Sequence, residues 1–222
     1  MLTERSSYEE FAPALRKAAN IKFYRAAAYR GARERARFSG KKYFFCELRS
    51  EGQPVLWMEH TRDRYSMAML LVEGHDREGC TFPSVAMRQQ DPTGNGEYVF
   101  VLRGHAVKRY VQRRIYHDDK HPISFKEYTT ARNAILESLL EFYAEADPVT
   151  RTYLVSYDSG VFICPPANDN VMVAETYQVV SKMYTNQRVT RGKSEEGTKI
   201  YKEAMTDELR RAFAVLTTIK EM

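Results

Sequence analysis

Eleven residues, Gly104-His105-Ala106-Val107-Lys108-Arg109-Tyr110-Val111-Gln112-Arg113-Arg114, put one histidine and four cations directly after the apolar run Tyr98–Leu102. A strand followed by a helix opening near Gly104 is the expected local structure. At about 100° per residue, His105, Arg109 and Arg113 fall within about 80° of one another and span about 12 Å along the axis. Lys108 and Gln112 widen this stripe to a polar arc of about 140°. Val107, Tyr110, Val111 and Ile115 gather opposite, so the helix is expected to dock by its apolar side and present the stripe outward. Arg114 alone falls inside the apolar arc and is expected beyond the edge of the core.

A helix start beside His105 points backbone N–H groups and the positive end of the dipole toward an approaching anion, for which phosphate is the obvious candidate. Guanidinium groups hold phosphate oxygens in pairs. The same cations and the helix terminus favour the neutral imidazole, which is the state a general base needs. A solvated basic face with an incidental histidine uses the same residues, and spacing alone does not separate the two readings.

The pattern H-A-x-x-R-x-x-x-R after a strand, followed by a helix and an antiparallel meander, resembles the ribonuclease-like bacterial toxins of the barnase, EndoU, colicin and RelE-like group. The resemblance covers residues 97–183 and rests on His105, Arg109 and Arg113. It implies metal-independent RNA cleavage by a cytoplasmic toxin. In such a site His105 acts as base or acid, Arg109 and Arg113 hold the phosphate, and a late-strand Thr or Tyr, here Thr176 or Tyr177, completes it. No cofactor is expected, and an antitoxin or other acidic protein is an implied partner beside RNA. Glu175 competes with Thr176 as a partner for His105, because successive strand residues face opposite ways.

Other clusters carry weaker chemistry. His117-Asp118-Asp119-Lys120-His121 contains metal-ligand types, but its place before Pro122 reads as an ordinary inter-helix loop, and no metal is expected. Arg25, Arg30, Arg33, Arg35 and Arg37, interleaved with Tyr24, Tyr29 and Phe38, suit a nucleic-acid backbone, a solvated helix or an acidic protein equally well. Lys108 and Gln112 join Arg25, Arg30, Arg33 and Arg37 as candidate nucleic-acid contacts. No phosphate-loop, dinucleotide-binding or serine-hydrolase motif is present.

The elements that must position these groups are legible in outline. With 222 residues, 43% hydrophobic and 28% charged, the chain suits one large domain or two small ones, and excludes a disordered or collagenous polymer. Of its 34 basic residues 22 are arginine, and the net charge is +5. Eleven basic residues face only Glu34 and Glu47 between Pro13 and Arg49, and five face no acid between Arg103 and Arg114. Cys46, Cys80 and Cys164 are odd in number and widely spaced, which suits a reducing compartment better than a disulfide framework. The first ten residues lack an apolar signal core, and the longest apolar run, Met67–Val72, is too short to span a membrane.

The expected fold is α+β. Residues 97–102, 152–157, 161–164 and 171–180 are expected to form most of one antiparallel sheet, with helices at 104–116 and 125–146 on one side of it. Ser124 and Glu127 have capping-box spacing at the second of these helices. Upstream come helix from Tyr8 to about Arg37, starting at a Ser6–Glu9 capping box or at Pro13, a hairpin of 42–49 and 54–60, and a strand at 65–72. A helical tail is expected over 195–222. The turn-rich segment Asp91–Gly96 suggests a division into 1–92 and 93–222, although the first part is equally readable as integral to one fold.

Overall fold

The computed structural model describes residues 2–20, 27–62, 65–74, 82–90, 96–140, 142, 144–146, 149, 152–165 and 170–200. Helix α1, Tyr8–Ala19, is capped one residue later than the Ser6–Glu9 expectation: the Ser7 N–H donates to Glu10 Oε2 at 2.7 Å. Pro13 lies inside α1 and does not mark its start. Helix α2, Ala27–Phe38, stops before Gly40, whose φ of 66° is readily reached without a side chain.

Strands β1, Tyr43–Ser50, and β2, Gln53–His60, form the expected hairpin, closed by Glu51 and Gly52 at φ 49° and 85°. Strands β3, Ser66–Val72, β4, Ser84–Gln90, and β5, Glu97–Leu102, continue the antiparallel meander. The sheet order is β1-β2-β3-β4-β5-β9, where β9, Val171–Ala174, lies parallel to β5. Strand β4 pairs with β5 from Val85↔Leu102 to Gln90↔Glu97, so strands from before residue 91 and after residue 95 share one sheet.

A second antiparallel sheet has the order β10-β8-β7-β6, with β6 Ala144–Ala146, β7 Tyr153–Tyr157, β8 Gly160–Cys164 and β10 Thr176–Val179. The expectation of one sheet holding 97–102 with the three later runs is therefore corrected. The run 171–180 is two strands, and the chain passes from the first sheet to the second at Glu175. Helix α3, Gly104–Tyr110, continues as a π-helical stretch over Val111–Tyr116, and α4 spans Phe125–Ser138. The expected extension of α4 to 146 is also corrected. Leu139 leaves the helix, and pairing with β7 draws 144–146 into a strand, so tertiary contact overrides a helix-favouring local sequence.

Two cores flank the six-stranded sheet. Phe11, Leu15 and Tyr29 from α1 and α2 pack on Phe44, Val55, Leu70 and Val101. On the other face Val107, Tyr128 and Ile135 from α3 and α4 pack on Leu56, Met87 and Phe100 together with Val155, Phe162 and Tyr177 of the second sheet. The architecture is α+β, and α3 is held between both sheets. A further helix, α5, runs over 185–200, and the rest of the expected tail lies outside the described residues. No helix among the described residues is long and apolar enough to cross a membrane.

Candidate active site on the His105 helix

The start of α3 is fixed by close packing. A Cβ at Gly104 would overlap the Phe82 carbonyl oxygen and lie 2.8 Å from its carbon, so only glycine fits. The Gly104 N–H donates to Ser84 Oγ at 3.0 Å, and that hydroxyl donates to Glu4 Oε2 at 2.9 Å. Glu4 is buried and also pairs with Arg103. The Glu4 carboxylate thus reaches the first N–H of this helix through the Ser84 hydroxyl.

One turn on, Arg109 Nε donates to His105 Nε2 at 3.3 Å. In this contact Nε2 is the acceptor. Both side chains are half-buried. Arg109 Nη1 further donates to Gln112 Oε1 at 3.2 Å and to the Asp119 carbonyl at 3.1 Å. Arg113 donates to Asp119 Oδ1 at 2.8 Å and to the Tyr177 carbonyl at 2.7 Å. Lys182 reaches the other Asp119 oxygen at 3.2 Å. Asp119 therefore gathers three cationic side chains, two by its carboxylate and one by its main chain. The Arg113 bond holds its carboxyl below the ordinary aspartate range.

The expected outward stripe is reshaped by this loop. His105 and Arg109 do lie together, and Asp119 and His121 fold back onto Arg109, Gln112 and Arg113. Gln112, expected on the polar arc as a nucleic-acid contact, is buried and donates to the His121 carbonyl at 2.9 Å. Lys108 stays partly exposed. Ile115, expected against the core, is 52% exposed because it lies past the core's end. Arg114 meets Asp158 at the core rim, 2.9 Å from Oδ2, which Tyr110 also reaches at 3.4 Å.

The late-strand candidates separate. Tyr177 is fully buried, its hydroxyl donating to the Tyr157 carbonyl at 3.1 Å, and burial pushes its pKa up. Its contribution to the stripe is the main-chain carbonyl on Arg113. Thr176 is partly exposed on β10, the strand that packs against α3. Glu175, half-exposed, lies 3.7 Å from Arg103.

In the loop considered for metal, His121 stacks on Tyr116 with ring centroids 3.6 Å apart, and Asp118 accepts from the Lys120 N–H at 2.9 Å. No group of three metal-ligand side chains converges among the described residues. Arg30, Arg33 and Arg37 sit on α2, across the six-stranded sheet from α3, so they do not join the His105 site. Arg33 lies 3.6 Å from Glu59, whereas Arg30 and Arg37 are exposed. Arg25 lies outside the described residues.

Glu4, Ser84 and Lys182 carry no signal as site residues in the sequence, and Asp119 enters there only as a metal-ligand type. For Asp119 the available signal was its place in a short acidic loop after a basic helix. Neither a protein-family model, a curated protein nor a solved structure matches the chain.

Proposed function

We propose that the chain is a metal-independent endoribonuclease-like protein that cleaves RNA by attack of a 2′-hydroxyl on the adjacent phosphodiester. The observation that carries the reading is the Arg109 Nε to His105 Nε2 contact of 3.3 Å, which sets a proton-accepting nitrogen beside a guanidinium. That distance is long for such a bond, so an entering phosphate displaces it easily. His105 then takes the 2′-hydroxyl proton as the 2′-oxygen bonds to phosphorus. The bond from phosphorus to the 5′-oxygen breaks, and the departing oxygen takes a proton from water. Arg109 holds the non-bridging oxygens where negative charge grows.

Arg113 serves as a positioning residue in this scheme, because its bonds fix Asp119 and the edge of β10. The Tyr177 hydroxyl is committed to the Tyr157 carbonyl, and Thr176, next to it on the strand, turns to the face opposite the Tyr177 ring that packs on Tyr110 of α3, so neither late-strand hydroxyl takes a role in this scheme. The buried free thiols Cys46 and Cys164 suit a protein acting in a reducing cytoplasm, where a toxin of this kind and its RNA would meet.

A second reading, RNA binding without cleavage, is favoured by the exposed arginines Arg30 and Arg37 on α2. Incubation of end-labelled RNA with purified protein in excess EDTA separates the two. Cleavage by the wild type, lost in His105→Ala and Arg109→Ala, supports the enzyme. Binding by the wild type with no EDTA-resistant cleavage leaves the binding protein.

A further inference from the structure

Strand β1 ends the six-stranded sheet, and among the described residues its one strand neighbour is β2. The Ser50↔Gln53 pair closes a two-residue turn and is hydrogen-bonded, so by antiparallel alternation Leu48, Cys46 and Phe44 also bond to β2. The Thr61 N–H donating to the Lys42 carbonyl at 2.9 Å continues that series. Tyr43, Phe45, Glu47 and Arg49 consequently turn their N–H and C=O groups to the open edge. Among the described residues these groups have no backbone partner, and the Glu47 carbonyl has only a weak 3.9 Å contact from Cys46 Sγ.

The Tyr43–Phe45 end of this edge lies in a cleft of about 670 Å³ between α2 and α4. The walls are built from small side chains, Ala32 and Ala36 on one side and Thr130 and Ala134 on the other, over Tyr43 and Phe45. A further strand would sit about 4.8 Å from β1, in the space these small residues leave. Arg35, Lys41 and Lys42 line the cleft against a single carboxylate, Glu137. Burial raises the pKa of Glu137 while Lys41 and Lys42 oppose the shift, so the two lysines already act on a carboxylate in this cleft.

We propose that this cleft docks an extended acidic segment of a partner protein, which adds to β1 as a seventh strand. Alternate N–H and C=O groups on the edge match another peptide backbone, whereas a nucleic-acid strand lacks the alternation of N–H donors and C=O acceptors at strand spacing. Alternating side chains of the segment meet Tyr43 and Phe45 or lie beside Arg35, Lys41 and Lys42. The proposal uses none of the residues of the His105 site and stands independently of the RNA reading.

The test uses the full chain and a fluorescent octapeptide of alternating glutamate and valine. Expected are saturable binding, new protection of the Tyr43 and Phe45 amides from hydrogen exchange, and little binding of a lysine–valine counterpart. Methylating alternate peptide amides weakens binding about tenfold or more, as does Ala134→Trp, an exposed helix position whose folding a thermal melt checks. The Lys41→Glu/Lys42→Glu variant also binds more weakly. Absence of binding, or binding indifferent to N-methylation, overturns the proposal. So does protection of both amides in the free chain, which means that its own residues cover the edge. Displacement of the peptide by an RNA oligonucleotide, with equal protection of those amides, assigns the cleft to nucleic acid and equally overturns it.

Discussion

Replacing Arg113 with alanine removes two bonds of different worth. The 2.7 Å bond to the Tyr177 carbonyl is charge-assisted and half-buried, and it satisfies the outward side of β10, an edge strand of the second sheet. Bonds of that kind contribute about 1.5–3 kcal/mol. The 2.8 Å pair with Asp119 joins side chains 24% and 43% exposed, so solvent screening reduces it to about 0.2–1 kcal/mol. The expected loss is about 2–3 kcal/mol, or a fall in Tm of about 4–12 °C for a chain of this size. Arg109→Ala removes three contacts of 3.1–3.3 Å, each longer than the two Arg113 bonds, and is expected to lose about 1 kcal/mol. Calorimetric melts of Arg113→Ala, Arg113→Lys, Arg109→Ala and the wild type, at one ionic strength, give the ranking. An Arg113→Ala melt within about 2 °C of wild type, or a larger loss for Arg109→Ala, refutes the assignment of Arg113 to positioning and Arg109 to phosphate.

Glu127 is held down to a pKa of about 2, chiefly by the Ser124 hydroxyl and then by Tyr116. The stability it contributes is therefore complete above about pH 4.3, the ordinary glutamate value, and is lost as pH falls toward its folded pKa. Melts of Glu127→Gln are expected to converge on those of the wild type across that acid window. Gly104→Ala forces a Cβ into the Phe82 carbonyl and should lower stability by about 3 kcal/mol in denaturant titration, with the His105 site disturbed in step. Tyr177→Phe removes one buried hydroxyl bond, to the Tyr157 carbonyl, and should cost about 1 kcal/mol in denaturant titration while RNA cleavage remains.

The sequence carried the elements whose signals are local. The strand at Tyr98–Leu102, the helix from Gly104 to Tyr116 and the Ser124–Glu127 start of α4 follow from periodicity and capping chemistry, and each is present. The same periodicity put His105, Arg109 and Arg113 on one stripe. Strand β4 was missed because Arg88, Gln89 and Gln90 break its apolar pattern, although pairing with both β3 and β5 stabilises it. The passage between sheets at Glu175 depends on neighbours distant in sequence. So do the end of α4 and the burial of Gln112. Glu4 lies 100 residues from Gly104, yet its carboxylate faces the terminus of α3 through Ser84. A helical projection shows which residues share a face, but not which loop returns to cover them, and Asp119 changes the chemistry of this face most.

The identity of the product ends tests the central proposal most directly. A short RNA is incubated with the wild type in EDTA, beside the same oligonucleotide carrying a single 2′-deoxy nucleotide at the scissile position, and the products are resolved by mass. Attack by the 2′-hydroxyl predicts a 2′,3′-cyclic phosphate on one fragment and a 5′-hydroxyl on the other, with no cleavage at the deoxy position and none by His105→Ala. Cleavage at the deoxy position, 5′-phosphate ends, or full activity without His105 contradicts it.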